Sequence, residues 1–352
     1  METPPFQQDI ASIPATDKQG RRLRRSLILL LLLLGALLYL YWVLTRPPEP
    51  VGATKAPGVE SLFSIYGFGK ERLREPNGVA VSKSTGNIYI ADSGNSRGVV
   101  FDRSGNFLFK FGQPSAKIPA LHQKKVLYHP LSISVDESNG DIYLASALAK
   151  KISVFSKTGR FKRDMFVDNP IKVKVVGNKL YVGTDGSILI TTLKGKVLKK
   201  WGTKGKMPRQ FEYPAGLDLD KKGNLIISDS ENNRIQILNK KGALVGGVGE
   251  PTRSLNQADR LFGLGMGLAL DDKQRVYVVD AFHHSVRVFD HNGADFGELG
   301  RQGSADGQFN YPSDIAYAGG DVFAIADKWN DRIQVVRLTP PNKPVPKSTT
   351  KK

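Results

Sequence analysis

Histidine is the residue type in this chain best suited to chemistry, because an imidazole can bind a metal ion or transfer a proton near neutral pH. The most distinctive pair is His283–His284, which are adjacent in one loop. A catalytic zinc site needs about three converging ligands and an open position, and neighbours in an extended loop do not converge on one metal. We therefore predict no metal, no cofactor and no catalytic residue, and we place both imidazoles on an exposed loop.

A repeated carboxylate is the second candidate for chemistry. Asp follows an apolar segment in several places, often with Arg five positions later: Asp92, Asp229, Asp280 and Asp327, with Arg97, Arg234 and Arg332. One catalytic site cannot need identical copies spread through a repeating fold. An Asp at the end of a strand commonly accepts backbone N–H groups of the following turn. We therefore predict a structural role for this series, in which each Arg pairs with its Asp or a neighbour.

The elements that position these residues are short strands in repeated groups. Phe211–Gly249 contains the segments GLDLD, LIISD, RIQIL and ALVGGVG, separated by turns rich in Gly and Asn, which is typical of an antiparallel meander. Similar copies open at residues 76, 130, 170, 214, 265 and 312, so their spacings are 54, 40, 44, 51 and 47 residues. Spacings of about 40 to 50 residues are typical of propeller blades. We predict an all-β fold, a six-bladed β-propeller with four-stranded antiparallel blades.

The two ends of this region complete one another. The last copy lacks a fourth strand, and Ser61–Gly67 (SLFSIYG) resembles a fourth strand without the three strands that should precede it. If the N-terminal segment pairs with Gln334–Leu338, the ring closes and no sheet edge is left open. We therefore predict that a strand from each end of the domain shares one blade.

The chain resembles the NHL-repeat family of six-bladed β-propellers over Ser61–Leu338. The resemblance rests on the segments between the second and third strands of three copies: Asp92–Arg97 (DSGNSR), Asp229–Arg234 (DSENNR) and Asp327–Arg332 (DKWNDR). The other copies depart from this pattern. Ser146 and Lys151 stand at the Asp and Arg positions of the second copy, Asp185–Gly186 shortens the third, and His283–Ser285 replace Asn, Asn and Arg in the fifth.

The resemblance implies a binding module, because many propellers of this family hold partners through one face. The connections between blades are rich in Lys and Arg, which predicts a basic face that attracts an acidic protein segment or another anionic polymer. The residues that we predict to bind through charge are Lys117, Lys124, Lys125, Lys204 and Arg209. The best single patch combines aromatic and polar residues of two neighbouring loops: Phe282, His283, His284, Trp329 and Asn330.

Two other functions stay open at this point. Related six-bladed propellers include lyases and lactonase-like hydrolases with a metal in the central channel, and Asp218 and Asp314 are the carboxylates in first-strand segments that could serve such an enzyme. RNA binding is known for tripartite-motif relatives, and a basic face fits it. A small-molecule substrate therefore remains open, while nucleic acid is not expected, because the predicted topology places the propeller away from cytoplasmic RNA.

The N-terminal region predicts a membrane anchor. Leu27–Leu44 contains no charged residue and is long enough to cross a bilayer. More cations precede this segment than follow it, which predicts a cytoplasmic N-terminus and an extracytoplasmic propeller, periplasmic or extracellular. A cleaved signal peptide is the alternative. The predicted organisation is a basic tail (1–25), a transmembrane helix (26–45), a Pro/Gly spacer (46–60), the propeller (61–338) and a Lys/Pro tail (339–352).

The overall composition limits the partners and the chemistry that the chain can have. The net charge of the chain is +18, which favours association with acidic partners. The chain contains no cysteine, so disulfide bonds, thiol catalysis and lipid attachment through cysteine are excluded.

Overall fold

The computed structural model describes residues 27–38, 57–113, 127–249, 261–290 and 292–345. The chain divides into two compact units, Met1–Val51 and Gly52–Lys352. Of the residues singled out from the sequence, Lys117, Lys124, Lys125 and Leu44 lie outside the described residues.

In the first unit, the described residues form one helix at 27–38. The leucines of this helix are between 52% and 66% exposed. Among the residues that the structure describes, no helix combines the length and the apolar character that a membrane crossing requires. The second part of the predicted span, 39–44, lies outside them.

Within the described part of the second unit, the strands form six four-stranded antiparallel sheets, which are the predicted blades. The first three blades, each given from its first strand to its fourth, are β4 (Pro76–Val81), β5 (Ile88–Asp92), β6 (Arg97–Phe101) and β7 (Phe107–Phe111); β8 (Ser132–Val135), β9 (Ile142–Ser146), β10 (Lys151–Phe155) and β11 (Phe161–Phe166); β12 (Pro170–Val176), β13 (Lys179–Thr184), β14 (Ser187–Thr192) and β15 (Val197–Trp201).

Blades four to six follow in the same order: β16 (Pro214–Leu219), β17 (Leu225–Asp229), β18 (Arg234–Leu238) and β19 (Leu244–Val248); β20 (Gly265–Leu270), β21 (Val276–Asp280), β22 (Ser285–Phe289) and β23 (Asp295–Leu299); β24 (Pro312–Gly319), β25 (Val322–Asp327), β26 (Arg332–Leu338) and β1 (Val59–Ile65). A two-stranded hairpin, β2 (Gly67–Phe68) and β3 (Glu71–Arg72), connects the closing strand to blade one. Three short 3-10 turns, Ser93–Asn95, Ser230–Asn232 and Lys328–Asn330, join second to third strands.

Apolar clusters between neighbouring blades explain why the strands are hydrophobic on both sides. One buried cluster joins Ile226 and Ile237 of blade four to Leu268 and Val278 of blade five, and each of the other neighbouring pairs has a corresponding cluster. A middle strand such as β17 is buried at every position because both of its faces meet another sheet. No blade can therefore bury its apolar surface alone, and each blade depends on its neighbours for stability.

The closing strand confirms the predicted link between the two ends of the domain. β1 pairs antiparallel with β26, with Val59 opposite Leu338 and Ile65 opposite Ile333. The observed strand begins two residues earlier than the predicted one and ends before Gly67. Val59 and Ile65 are buried in the clusters on the two sides of blade six, so the strand contributes core packing as well as backbone hydrogen bonds.

Candidate functional site

The face of the propeller that we call the loop face carries the turns between second and third strands and the connections between blades. In blades one, four and six, a fully buried Asp at the end of the second strand accepts a hydrogen bond from a backbone N–H of the connection entering its own blade. These bonds run from Arg74 to Asp92 (2.8 Å), from Glu212 to Asp229 (2.7 Å) and from Asn310 to Asp327 (2.6 Å). Burial raises the pKa of these three carboxyl groups, although hydrogen bonds and the neighbouring Arg oppose the shift.

An arginine completes each of these three networks. The Nε of Arg97, Arg234 and Arg332 lies 2.6 to 2.9 Å from the buried carboxylate, and each guanidinium also donates to a carbonyl of the connection. Asn330 belongs to the same network, because its amide donates to Asp327 and to the Gly303 carbonyl. These side chains hold loops in place. The amide nitrogen of Asn330 is thus occupied by these two hydrogen bonds.

A second set of contacts ties each blade to the next. The last residue of the turn adopts a left-handed backbone in blades one, four, five and six, and its side chain accepts a backbone N–H of the following connection. The donor and acceptor pairs are His129 to Ser96, Phe262 to Asn233, Tyr311 to His284 and Glu75 to Asp331. We call these contacts blade staples. Each one fixes the position of a loop on the neighbouring blade.

The placement of His284 on an exposed loop was therefore wrong. Its ring is partly buried, and its Nδ1 accepts the Tyr311 N–H at 3.0 Å. Burial lowers the pKa of His284, while the nearby Asp280 and Asp327 oppose the shift. The signal for this role was present in the sequence, because His284 occupies the repeat position of Asn233 and Asp331.

Three neighbouring aromatic rings lie on the described loop face, and we call Phe282, Tyr311 and Trp329 the aromatic patch. Phe282 and Trp329 are 53% and 56% exposed. Tyr311 lies between them: its ring stacks on Trp329 with centroids 4.3 Å apart and meets the edge of Phe282 at 5.7 Å. The ammonium of Lys328 lies 5.6 Å from the Tyr311 ring centre. Sequence reasoning missed Tyr311, whose Tyr-Pro pair also occurs at Tyr213 before blade four.

The charge on the described part of the loop face is mixed. Lys204 pairs with Asp185 at 3.1 Å, and Lys150 pairs with Asp168 at 3.0 Å. The pairing with Asp185 raises the pKa of Lys204. Arg209 is exposed, and its backbone N–H donates to Gln236. The basic face predicted from the connections is therefore not shown by the described residues.

An ion pair crosses the central channel. Lys172 on β12 reaches Asp314 on β24, the first strand of the opposite blade, with its Nζ 2.6 Å from both carboxylate oxygens. The two residues are 6% and 2% exposed. Asp314 also accepts the N–H of Val79 and its neighbour Ile315. A Cβ at Gly267 would overlap the Asp314 carboxylate, so glycine is required there.

A second pair lies in the channel, between Lys174 and Asp218 at 2.8 Å. It borders a cavity of about 860 Å³ that opens among the turns between first and second strands. Asp218 and Asp314 do face the channel, as an enzyme would require, but each carboxylate is neutralised by a lysine. A metal centre built from these two carboxylates would have to displace both ammonium groups, so the channel geometry does not favour the lyase or hydrolase alternative.

Comparison with known proteins agrees with this repeat architecture. A profile of the NHL repeat matches residues 73–101 and 211–238, which cover the first three strands of blades one and four. Two segments of this chain thus match the NHL repeat. NHL repeat-containing protein 3 from Mus musculus is 29% identical over 238 residues, which are 60% of this chain and 65% of that protein. The E3 ubiquitin-protein ligase TRIM32 from Homo sapiens is 29% identical over 98 residues, 26% of this chain and 15% of that protein.

These matches cover less than two thirds of the length of either relative. Among solved structures, virginiamycin B lyase from Staphylococcus aureus superimposes with a TM-score of 0.55 and 14% identity, covering 80% of this chain and 100% of that chain. Identity at that level shows a shared fold only.

Proposed function

We propose that this NHL-repeat chain is a membrane-anchored propeller that holds a protein partner outside the cytoplasm through its loop face. The observation that carries the proposal is the aromatic patch. Exposed aromatic rings are the side chains that contribute most to protein binding when a partner removes them from water. Here they are presented on the loops of two neighbouring blades.

The backbone beneath the patch is held in place before any partner arrives. The N–H of Tyr311 donates to the staple residue His284, and the N–H of Trp329 donates to the Asn310 carbonyl at 3.0 Å. Asp327 holds the same connection through Asn310. A surface that is already ordered loses little conformational entropy on binding, which favours recognition of a defined partner over transient contact.

Electrostatic attraction would act at longer range than direct contact with the aromatic patch. The chain carries a net charge of +18, whereas Lys204 is already paired on the loop face. A net positive protein attracts acidic partners over several ångströms without requiring one basic contact surface. We propose that the partner is acidic, that charge steers it, and that the aromatic patch determines how long it stays bound. Binding should then weaken as the salt concentration rises.

Site-specific crosslinking tests the docking surface directly. A photoreactive phenylalanine analogue at Phe282 should crosslink the same partner as one at Trp329. Phe166, which is 84% exposed on blade two, is the matched control position and should give no such product. The double variant Phe282→Ala/Trp329→Ala should reduce partner capture at least about tenfold, as expected for central aromatic contacts, and leave the melting temperature unchanged. Equal crosslinking from Phe166, or a matching loss of thermal stability, would contradict the proposal.

The absence of natural cysteine offers a test of topology. Membrane anchoring is supported by the uncharged segment Leu27–Leu44 and by the cations that precede it. In variants carrying a single cysteine, Ser104→Cys on the propeller should react with a membrane-impermeant maleimide applied to intact cells. Ser12→Cys should react only after lysis. Labelling of Ser12→Cys in intact cells, with Ser104→Cys protected, would reverse the proposed orientation.

A further inference from the structure

Blade five departs from the Asp–Asn–Arg network of blades one, four and six. Its buried carboxylate, Asp280, ends β21 as the others end their strands, and it accepts the N–H of Gly263 and Leu264. The residue opposite it on the next strand is Ser285, where the other three blades have Arg. Ser285 is 1% exposed, and its hydroxyl has no hydrogen-bond partner. The carboxylate therefore lacks the guanidinium that neutralises its counterparts.

An imidazole and a second carboxylate face this position instead. The Nδ1 of His283 lies 3.0 Å from the Asp280 Oδ2 and 3.5 Å from the Glu298 Oε1. This nitrogen is buried and makes no hydrogen bond. The Nδ1 of His283 thus faces two carboxylate oxygens without a hydrogen bond to either, and a cation held between these atoms would stabilise the arrangement.

The spacing fits a metal ion. Zinc binds imidazole nitrogen and carboxylate oxygen at about 2.0 to 2.2 Å, which separates neighbouring ligand atoms by about 3 to 3.5 Å. The three candidate ligand atoms of Asp280, His283 and Glu298 lie within 4.8 Å of one another. Because Glu298 is a partly exposed side chain on β23, its carboxylate can move into place, and water can complete the coordination.

The groups around the site are compatible with a cation of this kind. Arg287 is a cation beside the site, with its NH1 3.4 Å from the Glu298 Oε1, but its NH2 is 2.6 Å from Asp295 and its NH1 donates to the Leu261 carbonyl. The Asp280 Oδ2 accepts one backbone hydrogen bond and keeps another lone pair for a metal. A mixed nitrogen and oxygen ligand set favours zinc over calcium or magnesium, which prefer oxygen alone.

We propose that Asp280, His283 and Glu298 form a zinc site that takes the place of the missing arginine in blade five. Zinc held there links the turn after β21 to the outer strand β23 of the same blade. Phe282 stands in that turn, so metal binding would fix one member of the aromatic patch. The site does not depend on the identity of any protein partner, and its test uses the metal alone.

The experiment measures zinc binding to the purified full chain after treatment with a chelator. We expect about one zinc ion bound per chain and a higher melting temperature with zinc than without it. His283→Asn introduces the residue that blades one, four and six carry at this position. It should weaken zinc affinity at least about tenfold, because a lost ligand costs at least as much as a lost supporting contact. Glu298→Gln should weaken it in the same direction. His284→Asn is the matched control, since its side chain lies outside the ligand set.

A double variant that rebuilds the Asp–Asn–Arg network in blade five gives a further test. His283→Asn/Ser285→Arg rebuilds in blade five the motif of blades one, four and six, so it should raise the melting temperature of the metal-free protein and abolish its response to zinc. The proposal is overturned if wild type binds no zinc at a one-to-one ratio, if His283→Asn binds as tightly as wild type, or if calcium stabilises the protein as well as zinc does.

Discussion

At the scale of single residues, one position of the repeat has the same structural role in four blades although its residue type differs. Ser96, Asn233, His284 and Asp331 differ in charge and size, yet each accepts a backbone N–H of the next connection. In each of these blades the residue has a left-handed backbone conformation and a side chain that accepts a hydrogen bond. Among these acceptors, only the histidine changes its protonation near neutral pH.

The His284 staple should therefore make stability depend on pH. Burial lowers the pKa of His284 in the folded protein, so the folded state favours the neutral ring. This contribution is fully present above the unfolded value of about 6.5 and is lost as the pH falls through the folded value. Protonation of Nδ1 also removes the acceptor for Tyr311. We expect the melting temperature to fall as the pH drops below about 6.5, together with faster exchange of the Tyr311 amide.

His284→Asn is the variant that isolates this effect. Asn233 shows that an amide at this position accepts the equivalent backbone N–H, so the variant should fold normally. Its melting temperature should change less with pH over the same range than that of wild type. If both proteins respond to pH equally, another group, such as His129, whose pKa burial also lowers, is responsible.

Residue roles were predictable from the sequence only where the repeat aligned them. The position of Asp92, Asp229 and Asp327 at strand ends was enough to suggest hydrogen bonds to loops. The stacking of Tyr311 on Trp329 was not predictable, because it depends on how a connection entering blade six folds over a turn of the same blade. Ser285 was visible as a departure, but only the structure shows that its hydroxyl is left without a partner.

At the scale of secondary structure elements, the closing strand β1 was predicted because the last copy lacked a strand that the first segment could supply. Its register required the structure: Phe63 lies opposite Val335, and a bulge shifts the pairing between Ser61 and Phe63. Apolar residues of β1 alternate between the core and the solvent. Ile65 is 4% exposed, whereas Leu62 is 40% exposed.

This alternation gives a matched pair of substitutions in one strand. Ile65→Ala removes a side chain from the cluster between blades six and one and should lower the free energy of unfolding by about 2 to 5 kcal/mol. Leu62→Ala should change it by less than about 0.5 kcal/mol, because little is lost from the core. Denaturant unfolding of both variants measures the difference. Similar losses would mean that β1 stabilises the ring through its backbone alone.

At the scale of the whole molecule, the ion pair between Lys172 and Asp314 joins two opposite blades through the channel. Its partners are 142 positions apart, and no local sequence pattern relates them. The fold could be predicted because the spacing of the repeats can be recognised in the sequence. The ion pair in the channel could not be predicted, since it depends on which first strands face each other after the ring has closed.

Breaking this pair should be costly because it leaves a buried charge without a partner. We expect Lys172→Met to lower the free energy of unfolding by about 3 to 5 kcal/mol. Lys172→Met/Asp314→Asn should recover part of that loss, since no lone charge remains. Lys150→Met removes one partner of an exposed pair and should have no measurable effect. A wild-type stability for Lys172→Met in denaturant unfolding would show that the channel pair is solvated.

The pairing of β1 with β26 also determines when the ring can close during biosynthesis. Glu60 and Arg337, which meet in this ladder, are separated by 277 positions. At elongation rates of about 5 to 20 residues per second, the first strand emerges on the order of fifteen to sixty seconds before its mate exists. During that interval the nascent blades expose an unpaired edge that other chains could join. Chaperone protection should therefore matter most just before the ribosome releases the chain.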